Sequence, residues 1–257
     1  MAEFHITAST IRNGVTVDEI EFDVAGHGTA EGYLVHDGRA GEVRPVAVAV
    51  HGENGDRSSL LPDLKALAAK GVMGVAIDSP AARAAISDRD HLAAFDALAL
   101  TGAAAVHAIT ARSDAADGHL AILGRGIGGE VAGHLAARTA ACRVVIAAGS
   151  LLDRAAFLRE SSHGIAAGFR LRVDDDAAEA QIAGLAPKSL VASMQAGSDS
   201  LWQLQVADDD GRFDDEAERQ LSFDIPSAVR ITHHDSWADL GRGAASQERV
   251  ELIRRLA

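Results

Sequence analysis

Residues 119–129 read HLAILGRGIGG, an apolar run followed by closely spaced glycines. The apolar run 119–123 predicts a buried strand, and the pattern after the glycines predicts a helix over 127–138. Four glycines fill the junction and the helix start: Gly124, Gly126, Gly128 and Gly129. Because glycine has no Cβ, it permits the sharp turn and the close backbone approach that such a junction needs. The stretch therefore predicts a strand–turn–helix unit of an α/β protein.

Strands and helices alternate along the rest of the sequence. Segments 16–24 and 29–36 each alternate apolar and polar residues, which predicts an antiparallel hairpin. A helix is then predicted from 58, capped by Ser58 or Ser59 and stopped by Gly71. Further strands are predicted over 45–50, 72–77, 143–148, 201–206 and 229–232, and the helices other than 127–138 are predicted over 58–70, 90–111, 214–221 and 247–256. This alternation predicts a mostly parallel, doubly wound sheet with helices on both faces.

One long segment interrupts the alternation. Residues 151–190 lie between two predicted core strands and contain Phe157, Phe169 and the acidic run 174–176. Long insertions between core strands often cover a ligand site. We therefore predict a cap insertion over 151–190 within a single α/β domain spanning 1–257.

Composition excludes several classes of protein. The 257 residues are 47% hydrophobic and carry 24 basic and 37 acidic side chains, a net charge of −13. This balance is ordinary for a globular chain and argues against binding nucleic acid, which requires a basic face. The lone Cys142 excludes an internal disulfide and a thiolate metal cluster. We saw no apolar run of the ~20 residues that a membrane span needs and no secretion signal, so we predict a cytoplasmic protein without a membrane partner. The composition leaves the oligomeric state open.

A second loop narrows the family. Residues 51–55 read HGENG and directly follow the strand 45–50. Together with the loop 124–129, they resemble the α/β-hydrolase family, in its dienelactone-hydrolase and peptidase-like branch. The resemblance implies the α/β-hydrolase fold, with the HG loop after the third strand and a nucleophile elbow after the fifth. It also implies an oxyanion hole formed by the backbone N–H groups of Glu53 and Ile127.

The centre of the elbow departs from the family pattern. Gly126 stands where the family carries a nucleophilic serine, cysteine or aspartate. A glycine has no side chain to attack a carbonyl, so no covalent acyl intermediate can form at this position. The glycine is either natural or an engineered replacement of a serine, and the sequence alone leaves both open.

The family acid and histidine are harder to place. The acid aligns best with Asp210, within the run 208–210 that follows the strand 201–206. The histidine would fall near position 236 or 237, whereas His233 and His234 come earlier, at the end of the last strand. The base is therefore one of these two histidines, or it is missing.

Four further residues are predicted to contact a substrate. His51 and Asn54 belong to the HG loop, where they either line the pocket or serve only the loop itself. Arg125 could hold an anionic substrate or pair with Glu130 on the surface. Trp237 could form a wall of the pocket or fill a gap in the core.

The glycine loop also matches the G-x-G-x-x-G pattern of dinucleotide-binding folds. Such folds place an acidic residue at the end of the next strand, but residues 147–150 read AAGS. A nucleotide site would also leave the loop 51–55 unexplained. No cofactor is therefore predicted. No metal is predicted either, because the adjacent His233 and His234 of a strand point to opposite faces.

Three functions are open at this point. The first is a non-hydrolytic isomerase or epimerase that stabilises an enolate in the oxyanion hole. In lacking a nucleophile the chain is similar to the atypical α/β-hydrolase-fold epimerases of modified ribosomal peptides in the bottromycin pathway, which implies a small-molecule or modified-peptide substrate and substrate assistance. The second is an ester, lactone or peptide hydrolase in which Gly126 replaces a serine. The third is a non-catalytic ligand-binding protein.

Overall fold

A mixed β-sheet forms the centre of the computed structural model, which describes residues 3–39, 41–196, 199–210, 225–226, 228–241 and 243–256. Its strands are β1 (His5–Arg12), β2 (Val15–Val24), β3 (Gly28–His36), β4 (Arg44–Val50), β5 (Met73–Ile77), β6 (Ala115–Arg125), β7 (Cys142–Ala148), β8 (Leu201–Ala207) and β9 (Arg230–His234). Within the described residues the nine strands run in the order β1-β2-β3-β5-β4-β6-β7-β8-β9. β4 to β9 are parallel, and β1 to β3 extend the sheet in antiparallel fashion.

Helices cover both faces of this sheet. They are α1 (Leu61–Ala68), α2 (Pro80–Ser87), α3 (His91–Thr110), α4 (Ile127–Ala136), α5 (Arg154–Glu160), α6 (Gly164–Arg172), α7 (Asp175–Leu185), α8 (Leu190–Gln195) and α9 (Gly243–Leu256). α1 and α9 bury Leu64 and Ile253 in one core layer, while α3 and α4 bury Phe95 and Val131 in the other. The two apolar layers enclose the parallel strands, as the uncharged strand sequences require.

The predicted hairpin and the parallel core are confirmed. β2 and β3 pair antiparallel, with Phe22 opposite Ala30, and β4 pairs with β6 along the parallel core. The sequence patterns missed the edge strand β1, whose residues are exposed on both faces, and the helix α2. The helix predicted over 214–221 lies outside the described residues.

The predicted serine cap of the first helix is wrong. Leu60 occupies the N-cap of α1 and makes no side-chain cap bond. Ser58 and Ser59 instead bond to Asp56 in the preceding loop, which gives these hydroxyls partners of their own. The predicted stop is confirmed, because Gly71 adopts a positive φ of 85° just beyond the helix.

The helix α3 is long and apolar enough to span a membrane by length and composition alone. An 18-residue window of this 20-residue helix has a mean hydropathy of 1.6, and half of that window is buried inside the protein. Phe95 and Leu98 of this helix are part of the hydrophobic core. α3 is therefore a core helix of this fold, which corrects the expectation that no segment would reach membrane-spanning length.

The segment 151–190 is helical and follows β7 at the carboxyl end of the sheet. It forms α5, α6, α7 and a short 3₁₀ turn, Ala186–Lys188. Gln181 accepts a hydrogen bond from the backbone N–H of His91, at the start of α3, and the Lys188 ammonium pairs with Asp96. These contacts attach the segment to α3, beside the loops that follow β4, β6 and β7.

Candidate functional site

The turn after β6 has a backbone conformation that glycine adopts readily and that would strain a residue with a side chain. Gly126 has φ 54° and ψ −130°, a conformation that side-chain-bearing residues rarely adopt. A Cβ at Gly124 would overlap the Gly128 carbonyl, and a Cβ at Gly128 would overlap the carbonyl of His51. The glycines therefore allow the loop after β4 and the start of α4 to touch. This is the sharp strand-to-helix geometry in which a nucleophile elbow presents its side chain.

The side chain of Glu53 fills the space above this elbow. A Cβ built on Gly126 would overlap the Glu53 carboxylate oxygen Oε2 and lie 3.2 Å from its Cδ. Glu53 belongs to the loop after β4, and about a fifth of its side chain is exposed. A carboxylate therefore occupies the place where a side chain at position 126 would begin.

A buried arginine holds this carboxylate. Arg154, the first residue of α5, is 3% exposed, and its Nη2 donates to Glu53 Oε1 at 2.6 Å. The same guanidinium donates to both carboxylate oxygens of Glu130 on α4, from Nε at 2.9 Å and from Nη2 at 2.7 Å. Burial alone would lower the pKa of Arg154, but the two carboxylates outweigh it and raise that pKa. Arg154 is thus a permanent cation shared between two acids.

A histidine lies on the far side of Arg154. The ring Nδ1 of His91 is 3.4 Å from Arg154 Nη1, and the residue is 5% exposed. Burial, and then the positive charge of Arg154, lower the pKa of His91 to about 4. His91 is therefore neutral near pH 7 and adds no charge to the site.

These groups border a cleft of about 340 Å³. Its lining combines Glu53 and Asn54 from the β4 loop, the start of α3, and residues of α2, α5 and α6. The lining residues are Glu53, Asn54, Ile86, Arg89, His91, Leu151, Arg154, Phe157, Gly164, Ile165, Gly168 and Arg172. The volume lies at the small end of the range for ligand sites.

His51 serves the loop backbone. It is 2% exposed, its Nδ1 is 2.8 Å from the Gly52 carbonyl, and its Nε2 accepts the Ser79 backbone N–H at 3.2 Å. Burial lowers the pKa of His51. Both ring nitrogens thus lie within hydrogen-bond distance of backbone groups, which favours a structural role for His51, and its contact with a substrate stays a prediction. Of the predicted substrate contacts, Asn54 does line the cleft.

One of the two predicted histidines lies beside an aspartate of the run 208–210. Asp208 Oδ1 lies 3.0 Å from His233 Nδ1, with their side chains 59% and 64% exposed. Asp209 accepts the backbone N–H of Trp237, and the backbone N–H of Asp210 donates to the carbonyl of Ala207. Asp208 is thus the aspartate found beside His233, and the alignment of the family acid with Asp210 stays a prediction.

His234 turns to the opposite side of β9 from its neighbour. Its Nε2 is buried, has no hydrogen-bond partner among the described residues and lies 3.8 Å from Glu248 Oε2. The exposed His233 and the half-buried His234 therefore face apart, as adjacent strand residues do.

Arg125 contacts Trp237 and not Glu130. Its guanidinium carbon is 5.7 Å from the centre of the Trp237 ring, and that ring lies against Gly149 at the end of β7. Burial lowers the pKa of Arg125. Glu130 is buried beside Arg154, so the proposed surface pair of Arg125 with Glu130 is wrong.

Solved structures that resemble this fold include esterases and other hydrolases. Acetyl xylan esterase from Paenibacillus sp. R4 superposes with a TM-score of 0.76 at 14% identity, covering 100% of this chain and 89% of that chain. The α/β-hydrolase fold is established. Acetyl xylan esterase 1 from Thermoanaerobacterium sp. JW/SL YS485 gives 0.73 at 13% identity, covering 99% and 87%, and 2,6-dihydroxy-pseudo-oxynicotine hydrolase gives 0.68 at 13%, covering 93% and 68%. No protein-family model and no curated protein sequence matches the chain.

At such low sequence identity, the superpositions show a shared fold and do not show a shared reaction. The hydrogen bonds of the described histidines can be compared with the nucleophile–histidine pairing that a hydrolase uses. In the described part of the chain, no serine hydroxyl or cysteine thiol hydrogen-bonds to a histidine ring. Cys142 is buried, and burial raises the pKa of its thiol to about 11. The same described residues contain no group of three His, Cys, Asp or Glu side chains suited to a metal.

The sequence patterns missed the role of Arg154 and His91. Arg154 belongs to the insertion 151–190, where no motif marks it, and His91 begins an alanine-rich helix. One signal was available in Glu130, a charged residue in the glycine- and alanine-rich helix that follows the elbow. A carboxylate placed there is buried and needs a cationic partner.

Proposed function

We propose that the protein is an enzyme that removes a proton from a carbon next to a carbonyl group, and so isomerises or epimerises its substrate. The observation that supports this proposal is the Glu53 carboxylate, which lies over the glycine elbow in place of a nucleophile. A positioned carboxylate is a common general base in enzymes. With no nucleophile on the turn, the carbanion would not be diverted into an acyl-enzyme.

The two oxygens of Glu53 have different surroundings. Oε1 accepts the bond from Arg154, and Oε2 is the oxygen nearest to Gly126. Arg154 thus orients the carboxylate, and Oε2 would accept the proton. Arg154 pairs with Glu130 as well as with Glu53. The two carboxylates and the one guanidinium therefore carry a net negative charge together.

The oxygen that becomes negative needs donors close to Oε2. Ile127 opens α4 directly after Gly126, and the first N–H groups of a helix have no acceptor within it. The partial positive charge of the helix start favours an anion at the same place. With the backbone N–H of Glu53, this donor would stabilise the enolate oxygen.

The stereochemical outcome depends on how the proton returns. Return to the original face exchanges the proton with solvent, and return to the opposite face inverts the centre. A carboxylate of the substrate itself could deliver the second proton, as the resemblance to peptide epimerases implies. The modified-peptide substrate, the absence of a cofactor and the cytoplasmic location stay predictions.

Hydrogen exchange in deuterated water tests the reaction. The probe is a peptide with an L-aspartyl residue next to a C-terminal thiazole, incubated with the wild type, Glu53→Gln and Arg159→Gln. Mass spectrometry reports deuterium at the α-carbon, and chiral analysis after hydrolysis reports D-aspartate. 4-Nitrophenyl acetate serves in parallel as the ester substrate.

We expect the wild type and Arg159→Gln to label the α-carbon, and Glu53→Gln to label it ~10²–10⁴-fold more slowly. Arg159 is an exposed residue of α5 outside the cleft, so its variant controls for a general loss of positive charge. Absence of label in the wild type, or equal labelling by Glu53→Gln, contradicts the proposal. Ester turnover that depends on Glu53, without labelling, identifies a hydrolase instead.

A further inference from the structure

The charge of the cleft is opposite to that of the protein. The chain has a net charge of −13, yet three arginines line the cleft and only one carboxylate does. Arg154 is already paired with Glu53 and Glu130. Among the residues that the structure describes, no carboxylate forms a salt bridge with Arg89 or Arg172. Two guanidinium groups are therefore available to a ligand.

We propose that Arg89 and Arg172 bind an oxyanion, a carboxylate or a phosphate, at the end of the substrate remote from the reacting carbon. Guanidinium groups recognise such anions through paired, charge-assisted hydrogen bonds. The two arginines belong to different elements, one at the end of α2 and the other in the last turn of α6, so the anion would bridge the sheet side and the insertion side of the cleft.

Acidic neighbours do not occupy these arginines. Asp88 and Asp90 flank Arg89 in sequence, but the Asp90 side chain accepts the N–H of Ala93 and caps α3. Asp174, two residues after Arg172, likewise caps α7. Arg89 has φ 60° because it closes the C-terminus of α2: its N–H donates to the carbonyl of Ile86, and the N–H of Asp90 donates to the carbonyl of Ala85.

The middle of the cleft is apolar. Ile86, Leu151, Phe157 and Ile165 line it together with two glycines of α6. A Cβ at Gly164 or Gly168 would meet no atom within 4 Å, so these positions leave open space toward the lining. The substrate class that fits has an anionic end, a short apolar body and a carbon acid presented to Glu53. Calling the bound molecule a substrate rests on the proposed function, whereas the anion site does not.

Binding of matched probes tests the site without turnover. The probes are 4-phenylbutyrate, 3-phenylpropyl phosphate and the neutral 4-phenylbutyramide, each titrated by calorimetry. The proteins are the wild type, Arg89→Gln, Arg172→Gln, their double variant, Gly168→Leu and the control Arg159→Gln. Circular dichroism establishes that each variant is folded, and the exposed Arg172 provides a single change that leaves the core intact.

We expect the wild type and Arg159→Gln to bind at least one anion ~10-fold more tightly than the amide, and each single variant to reduce that preference. The double variant should bind anions and amide alike, and Gly168→Leu should weaken all three. The preferred anion separates a carboxylate from a phosphate. Equal binding of amide and anions, a preference that survives in the double variant, or no binding of any probe overturns the proposal.

The deuterium assay on the same preparations separates the two proposals. Anion preference without α-carbon exchange keeps the site and refutes the reaction. Exchange without anion preference keeps the reaction and refutes the site.

Discussion

The carboxylate of Glu53 occupies the space that a side chain at Gly126 would fill. The glycine leaves room for Oε2, and Arg154 holds the same carboxylate by its other oxygen. A side chain at position 126 and the Glu53 carboxylate could not both occupy this space. A serine at position 126 would have to displace a charged group that is paired with a buried arginine, so the glycine is an integrated part of the site and not a simple vacancy.

The first prediction concerns Gly126→Ser. We expect it to lower the free energy of unfolding by ~1–3 kcal/mol, because a side chain there is strained at φ 54° and overlaps Glu53. It should not hydrolyse 4-nitrophenyl acetate, because a serine nucleophile needs a histidine base beside it, and the histidine that lines the cleft, His91, lies against Arg154. Urea unfolding and an ester assay measure the two effects.

A double-mutant cycle is the matched control for this change. Combining Gly126→Ser with Glu53→Ala removes the overlapping carboxylate, so the double variant should lose less stability than the sum of the single variants. Strict additivity would mean that the two positions do not share space. Rapid ester turnover by Gly126→Ser alone would instead point to a decayed esterase.

The second prediction concerns the charge at Arg154. Arg154→Met leaves the buried Glu130 without its cation, and loss of one partner of a buried ion pair costs ~3–5 kcal/mol. Arg159→Met, an exposed position on the same helix, should change stability by less than ~1 kcal/mol. Chemical denaturation of the two variants makes the comparison. Similar losses in both would show that Glu130 does not depend on Arg154.

The third prediction concerns the attachment of α9 to α1. Arg249 donates to Asp63 Oδ2 from Nη2 at 2.8 Å and from Nε at 3.0 Å, and both residues are buried. Asp63→Asn leaves the buried Arg249 without its carboxylate partner and should lower the free energy of unfolding by ~3–5 kcal/mol. Glu251→Gln, which removes only exposed pairs on the same helix, should cost less than ~1 kcal/mol. Amide hydrogen exchange should show early opening of α9 in the first variant alone, and protection that stays equal in the two would refute the link.

The fold could be predicted because its signals are local. The uncharged run 119–123 and the glycines after it lie within one short stretch, and the strands 45–50 and 143–148 are marked in the same way. Parallel strands end at one edge, which brings the β4 loop to the elbow without further information.

The site could be predicted only in part, because its side chains meet across long separations. Glu53 was identified for its backbone N–H, but its carboxylate is oriented by Arg154, 101 residues away in sequence. The pairing of His233 with Asp208 depends on the register of β8 against β9. No local pattern contains either relationship.

The last prediction concerns His91 and acid. The pKa of His91 is lowered to about 4 in the folded protein by burial and by Arg154, whereas an unfolded histidine titrates near 6.5. Between these values the unfolded state binds more protons, so stability falls as the pH drops through this range, by up to ~3 kcal/mol from this group. His91→Gln, which cannot titrate, should flatten the decline in urea-unfolding free energy between pH 6.5 and 4, whereas His27→Gln at an exposed turn should not. Parallel declines in the wild type and His91→Gln would show that the pKa of His91 is not lowered in the folded protein.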